Sequence, residues 1–422
     1  MKKKIGIVGF GEMGKRHGLE FTEATHGLIE IAGVVEPSDE MYRKGCEWNG
    51  RSSIPRFSSI AELLEKCDID GALITSPNFT HLSNLKQFEG RTLPVLIEKP
   101  LDTHIESISE IVRFAQHYKG PILVDHVMRY APIIRRARQL IDEGLLGRII
   151  GFEFTQRCDA GMFHNFRRTL RGGGGQMIEK ATHDLDVMLF LCGSTPKRVA
   201  MMARQEYVGG SKSNDLRCSE CDERIYCPSA FVPKQRYEGI EDVHLNNDLC
   251  VFAEEVDVND HETCLIELAD GTFGTYSQTF MYHIKGHSRI YEVMGTKGAL
   301  YIDLSTENPG YRGRLTYHPQ ENNGEVITYD YDYFLKIHYN GGPYVARHFY
   351  ELMCGRETQP FTTVPQAFVA EMLGFAAMKS AQEDKFVKVD SLVPPDLRET
   401  YFSVYRNEQR AFSKSQTYPT FP

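Results

Sequence analysis

No apolar run in this 422-residue sequence approaches the ~20 residues that a bilayer-spanning helix requires, and the chain has no excess of cationic side chains. Lysine plus arginine number 48 against 57 aspartates plus glutamates, a formal net charge of −9. That balance argues against a nucleic acid or an anionic membrane as partner, since both are bound through basic surface. The stretch "MKKKIGIVGFG" at the amino terminus is basic and then apolar, but it lacks a long apolar region and a small-residue cleavage site. It is therefore expected to be a first strand, and the protein to be cytoplasmic. Internal repeats and low-complexity linkers are missing too, which sets solenoids and disordered arrays aside. What is present is an ordinary globular composition, 41% hydrophobic and 25% charged, at a length that suits two domains.

The first strand-like run leads into Gly9-Phe10-Gly11-Glu12-Met13-Gly14, and a helical stretch follows. A Gly-x-Gly-x-x-Gly turn between strand and helix is the fingerprint of a dinucleotide site: one glycine for the turn, one for approach of the pyrophosphate, one for helix–strand packing. The helix amino terminus then offers free amides to phosphate. The next strand, "LIEIAGVVEP", ends in Glu36, placed to bind the adenosine ribose hydroxyls. This acid favours NAD over NADP, with Ser38 and Arg43 just beyond it leaving NADP open. A purely structural turn is the competing reading. Further strand-like runs end in Thr75-Ser76-Pro77-Asn78 with His81, in Glu98-Lys99-Pro100, and in Asp125-His126, with helical stretches between. The rhythm is that of a doubly wound parallel sheet, whose ligands lie beyond the carboxyl ends of its strands. Thr75, Ser76, Pro77, Asn78, His81, Glu98, Lys99 and His126 are accordingly candidate cofactor contacts.

A second cluster lies in "RGGGGQMIEKATHDLD". Ile178, Ala181, Leu185 and Leu189 recur at helical spacing, and Gly193 marks the end of the segment. One continuous helix would bring Glu179, His183 and Asp186 to one side, with Lys180 a step round. The four preceding glycines allow a ligand or loop to approach closely; the alternative is a solvated face with a Glu–His pair.

The motifs "GFGEMGKRH", "TSPNFTHL", "EKPL", "HVMRYAP" and "GGGGQMIEKATHDLDVMLFLCG", in this order, resemble the glucose–fructose oxidoreductase / inositol 2-dehydrogenase (Gfo/Idh/MocA) family, in its EKxxH-type subset. The resemblance covers roughly residues 1–200. It implies that Lys99 lies near the nicotinamide and the reacting carbinol, and that His183 is the acid–base group. Many relatives carry Asp where this chain has Glu179, which leaves the proton to be shared out among Glu179, Lys180 and His183. Arg129 and Tyr130, with Lys180, His183 and Asp186, are candidate substrate contacts; Arg129 and Tyr130 can equally anchor a helix. An imidazole titrates near working pH and suits proton transfer, while two lysines would hold a developing alkoxide.

From "GRIIGFEFTQ" onward, hairpin patterns predict an open antiparallel sheet with helices on one face. The fold class expected is α/β plus α+β: a Rossmann domain over 1–126, a substrate and oligomerisation domain over 127–391 carrying a Cys-rich insert at about 211–248, and a polar tail over 392–422. By the resemblance, a homodimer or homotetramer forms through the second sheet. In the insert, Cys218, Cys221 and Cys227 follow C-x2-C-x5-C. With Cys250, or His244 in its place, they give four candidate ligands for a structural zinc that staples a segment lacking its own core. Plain reduced thiols are the alternative, and the spacing is not a standard iron–sulfur one.

The function expected is NAD(P)-dependent hydride transfer to or from a secondary alcohol of a carbohydrate: a sugar, polyol or glycoside. Two other classes stay open, a glycoside hydrolase or lyase using NAD transiently and a non-catalytic dinucleotide sensor. The basic loop Arg157–Arg171 points to an acidic sugar, or else to capping and surface roles.

Overall fold

The computed structural model describes residues 1–231, 235–237, 240–241, 248–281, 288–305, 312–321, 324–332 and 337–412. Two compact units divide the chain. Among the described residues, the first comprises 1–131 and 340–368, and the second the remainder, within 132–339 and 369–412.

In the first unit, six strands form one parallel sheet: β1 (Lys3–Val8), β2 (Ile29–Val35), β3 (Arg56–Phe57), β4 (Gly71–Ile74), β5 (Val95–Ile97) and β6 (Ile122–Val124), ordered β3-β2-β1-β4-β5-β6. Strands β4, β5 and β6 are buried throughout, as expected when helices cover both faces of a parallel sheet. The strand order reverses between β1 and β4, so their carboxyl ends open the crevice where such sheets bind ligands. Helix Glu12–Ala24 follows β1 directly. Its apolar side is covered by helix Gly342–Met353, where Phe21 meets Phe349 at 5.9 Å between ring centres and Arg347 Nε donates to the Ala24 carbonyl at 3.0 Å. "GGPYVARHFYELMCG", which falls within the 127–391 span expected for the second domain, thus completes the first. Its amphipathic pattern specifies a buried face but not which unit buries it.

The second unit is built on nine strands: β7 (Ile149–Arg157), β8 (Pro196–Arg204), β9 (His261–Leu268), β10 (Phe273–Thr279), β11 (Ser288–Gly295), β12 (Gly298–Asp303), β13 (Arg312–Pro319), β14 (Ile327–Asp332) and β15 (Val387–Lys388). Their order is β14-β13-β12-β11-β7-β10-β9-β8-β15. The sheet is mostly antiparallel; the pairing of β7 with β10 is parallel, which a hairpin reading does not foresee because the strands are distant in sequence. Strand β9 alternates exposed and buried residues along its length, the mark of a sheet with one face on a core.

Helix Ala181–Cys192 has all 12 residues buried and ends at Gly193 in the left-handed region, where the spacing predicts. The single helix expected around it is interrupted, however. Gln176–Glu179 and Ala181–Cys192 are separate, with Lys180 between them at φ −116°. The tail is also more ordered than its polarity suggests: residues 398–412 form a helix whose Tyr401 and Tyr405 are buried, with Tyr401 Oη donating to the Pro196 carbonyl at 2.6 Å.

Candidate active site

The glycine turn is dictated by close backbone approaches within the first unit. A Cβ at Gly14 would lie 2.1 Å from the Gly9 carbonyl oxygen, and Gly9 itself sits at φ +87° with Ser76 backbone 2.7 Å from where its Cβ would be. Gly11 differs, because nothing lies within 4 Å of a Cβ built there. The open space above the helix amino terminus is therefore not required by the protein's own packing, and it suits a pyrophosphate. Thr75 closes the turn by donating to the Gly9 carbonyl at 2.6 Å.

Glu36 ends β2 with its carboxylate engaged on both oxygens: Oε2 accepts from the Phe10 amide at 2.7 Å and Oε1 from the Ser38 amide at 2.8 Å. Beside it Arg56 donates to the carbonyls of Glu36 and Pro37 and pairs with Asp39 at 2.5 Å. The Arg56 guanidinium is thus already bound by its neighbours.

His81 is a brace in this fold, where sequence pattern suggested a cofactor contact. It is fully buried, with Nε2 2.9 Å from the Ser76 carbonyl and Nδ1 3.1 Å from those of Pro100 and Leu101. It lies between the loop after β4 and the loop after β5; burial holds its pKa below the ordinary imidazole value, and the neutral ring has one N–H, to donate to one loop or the other. Tyr130 is likewise a core residue of the first unit, 2% exposed, edge-on to Phe361 and 3.4 Å from His348 Nδ1 through its hydroxyl. Arg129 and His126 are buried as well. Glu98 and Lys99 leave β5 together, and the Lys99 amide donates to Glu98 Oε2 at 3.1 Å.

In the second unit, Glu179 accepts from Arg167 Nε at 2.6 Å and is buried, as are His183 and Asp186. The glycines before them turn the chain: Gly174 and Gly175, at φ 75° and 86°, connect one short helix to the next. The break at Lys180 separates Glu179 from the helix carrying His183 and Asp186, and the acid of that helix that meets the sheet is Asp184. Asp184 is fully buried and accepts from Arg289 Nε at 2.8 Å, from Tyr276 Oη at 3.3 Å and from Tyr291 Oη. The Gln156 amide, oriented by its neighbours, donates to Asp184 at 2.8 Å. Burial works against the Arg289 charge, but Asp184 raises its pKa well above the ordinary value.

Arg289 also donates to Tyr339 Oη at 3.2 Å. Tyr339 and its neighbour His338 are both left-handed, at φ 56° and 55°, and the His338 ring lies 5.1 Å from that of His183. Non-glycine residues held in the left-handed region cluster at functional sites. Sequence reasoning missed Asp184, Arg289 and His338, which no local pattern links.

The residues that flank the Cys-rich insert form a core: Val208, Val251, Ala253, Val256 and Val258 pack with Ala160, Phe163 and Phe280. Buried Arg168 adds to it, donating to the Cys250 carbonyl at 2.9 Å and to Glu255. Arg167 and Arg168 of the basic loop are thus committed to Glu179 and Glu255, which removes two of the charges that pointed to an acidic sugar. The thiols do gather. Burial raises the pKa of Cys218 and of Cys250, and Cys250 and Cys227 add to the first, Cys221 and Cys227 to the second. They do not fit zinc, whose four sulfurs at ~2.3 Å from the metal must stand about 3.8 Å apart. Among the described residues the group of three or more ligand atoms within 4.8 Å of one another is His17, Glu98 and Asp125. His244 lies outside the described residues.

Residues 3–126 match the model of an oxidoreductase family with an NAD-binding Rossmann fold, GFO_IDH_MocA, and residues 134–301 match the GFO/IDH/MocA C-terminal domain. The rhizopine catabolism protein MocA of Rhizobium meliloti is 29% identical over 212 residues, which span 50% of this chain and 64% of that protein. Inositol 2-dehydrogenase of Rhizobium meliloti (strain 1021) is 24% identical over 206 residues, spanning 48% of this chain and 59% of that protein. In both cases less than two thirds of the relative is covered. A solved levoglucosan dehydrogenase in complex with NADH and levoglucosan shares the fold, with a TM-score of 0.71 at 18% identity over 92% of this chain and 100% of that one.

Proposed function

Because the chain belongs to the Gfo/Idh/MocA oxidoreductase family, we propose that it is an NAD-dependent dehydrogenase acting on a secondary alcohol of a sugar, polyol or glycoside. The observation that carries this reading is the turn Gly9–Gly14 at the point where the strand order reverses, with open space kept at Gly11. NAD, held along Gly9–Gly14, the strand-end residues Thr75–Asn78 and Glu36, would supply the hydride acceptor at its nicotinamide. NAD is favoured over NADP because a 2′-phosphate would meet the Glu36 carboxylate, while Arg56 is already paired with Asp39.

The chemistry assigned to the protein is proton handling and charge stabilisation. His183 takes the hydroxyl proton as the alcohol is oxidised, and the Lys99 and Lys180 ammoniums hold the alkoxide that develops. Glu179, paired with Arg167, orients the segment carrying Lys180. His338 and Asp186 are assigned to the substrate. The inositol 2-dehydrogenase and levoglucosan dehydrogenase relatives support a polyhydroxylated substrate. On the open face of the second sheet Met202, Leu265 and Phe273 are exposed, and this apolar face is assigned to association of copies of the chain. Reduced thiols are the reading adopted for the insert, since its cysteines do not fit a zinc site as they stand; metal analysis of the purified protein tests it, one zinc per chain overturning it.

Nicotinamide absorbance tests the function, with NAD or NADP and a panel of aldoses, cyclitols, uronic acids and glycosides. Substrate-dependent NADH formation, lost in Lys99→Ala and His183→Ala, is the expected result. Glycoside cleavage without net NADH would overturn simple dehydrogenation in favour of transient NAD use, and NAD binding with neither outcome would point to a sensor.

A further inference from the structure

Three ionisable side chains from three separate elements meet inside the first unit, immediately behind Lys99. His17 comes from helix Glu12–Ala24, Glu98 from the end of β5 and Asp125 from the end of β6. They are 3%, 5% and 2% exposed. His17 Nε2 lies 2.7 Å from Glu98 Oε1 and 3.3 Å from Asp125 Oδ2.

The spacing identifies what joins them. Ligand atoms at ~2.0–2.1 Å from a tetrahedral metal stand about 3.3 Å apart, so the 2.7 Å contact is too short for a shared ion and is that of a charge-assisted hydrogen bond. A buried cluster carrying net charge is heavily penalised. Zero net charge is reached with an imidazolium at His17, a carboxylate at Glu98 and a carboxylic acid at Asp125, and the three groups are displaced in the corresponding directions. Burial opposes the His17 charge, yet its bonds to Asp125 and Glu98 raise its pKa well above the ordinary value. Burial pushes Glu98 up, but the His17 bond and charge, with Lys99, hold it below the usual carboxylate range. Burial and the Glu98 charge together raise Asp125.

The cluster reaches Lys99 through the backbone. Glu98 Oε1 is held by His17, and Oε2 accepts the Lys99 amide at 3.1 Å. Past Lys99, His81 Nδ1 lies 3.1 Å from the Pro100 and Leu101 carbonyls. On its amide side the Lys99 backbone is held by Glu98, which His17 holds in turn. We propose that His17, together with Asp125, is a positioning residue for Lys99, acting through Glu98 to set the backbone from which the lysine reaches its substrate. The inference rests on the reading of Lys99 as a catalytic group.

The test uses the full chain and three variants: Lys99→Ala as reference, His17→Phe, which keeps ring volume and removes the donor, and His17→Gln, whose amide nitrogen reaches the place of Nε2. Turnover is measured on whichever substrate the panel identifies. NADH affinity is read separately from quenching of the single tryptophan, Trp48. His17→Phe is expected to lower kcat by about 10²-fold, the scale of an ångström-level misplacement, with NADH affinity unchanged, and His17→Gln to recover most of that loss. If His17→Phe does not fold, Glu98→Gln takes its place: its amide cannot accept from both His17 and the Lys99 amide, and the same kcat loss is expected. Wild-type kcat in the folded variant, alongside a Lys99→Ala protein that has lost turnover, overturns the positioning role and leaves the Lys99 reading intact. Wild-type kcat in Lys99→Ala overturns that reading, and this proposal with it.

Discussion

Arg289 Nε donates to Asp184 Oδ1 at 2.8 Å in a fully buried site of the second unit, one residue from His183. The pair fixes the start of helix Ala181–Cys192 and, through Tyr339, the segment carrying His338. Removing one partner of a buried ion pair leaves an uncompensated charge, which costs about 3–5 kcal/mol. Asp184→Ala is expected to lower the unfolding temperature accordingly, and His183-dependent turnover should fall with it. Thermal unfolding of the variant beside the wild type checks this.

Glu262 gives a pH signature. Burial pushes its carboxyl up to about 7, while in the unfolded chain it titrates near ~4.3. Between these values the folded state keeps a proton that the unfolded state has lost, so stability falls as pH rises across the window and levels off above about 7. Glu262→Gln removes the dependence. At pH 8 the variant is expected to be more stable than the wild type by up to ~3 kcal/mol, and at pH 4 the two should coincide. Urea unfolding at the two pH values distinguishes the outcomes.

Gly11 and Gly14 should respond oppositely to one added methyl. Gly14→Ala drives a Cβ to 2.1 Å from the Gly9 carbonyl and is expected to destabilise the first unit. Gly11→Ala meets nothing within 4 Å, so its unfolding temperature should stay unchanged while NADH affinity drops. Thermal unfolding and Trp48 quenching separate the two effects; equal NADH affinity in Gly11→Ala would remove the turn from the binding site.

His338 is held at φ 55°, where a non-glycine residue costs ~1–2 kcal/mol. Glycine relieves that cost and gives back ~0.5–1 kcal/mol in chain entropy. His338→Gly is therefore expected to raise stability slightly while lowering turnover. A rise in both would mean that the imidazole beside His183 has no part in the reaction.

The features legible in the sequence are those written in adjacent residues. Gly9–Gly14 declares its turn because each glycine answers a local steric demand, and Gly193 declares a helix end for the same reason. His17 was not legible: in "GKRH" it sits among basic residues and reads as solvated, while Glu98 and Asp125 reach it only because parallel strands bring their ends together. Asp184 was hidden because its partners Tyr276, Arg289 and Tyr291 come from strands about a hundred residues away. The core beside the insert was hidden by sparseness: Val208 and Val258 stand far apart in a polar stretch, and Arg168 bonds the Cys250 carbonyl next to them.

The split of the first unit across residues 1–131 and 340–368 bears on how the protein is made. The helix that covers the apolar side of helix Glu12–Ala24 arrives only after the whole stretch 132–339 has been synthesised. At ~5–20 residues per second, that side of the nascent chain stays uncovered for roughly 10–40 s. The second unit has its whole sheet except β15 within that interval and can begin to fold while the first is still waiting for its last helix. Chaperone capture during synthesis should therefore centre on residues 12–24, in the element that also carries His17.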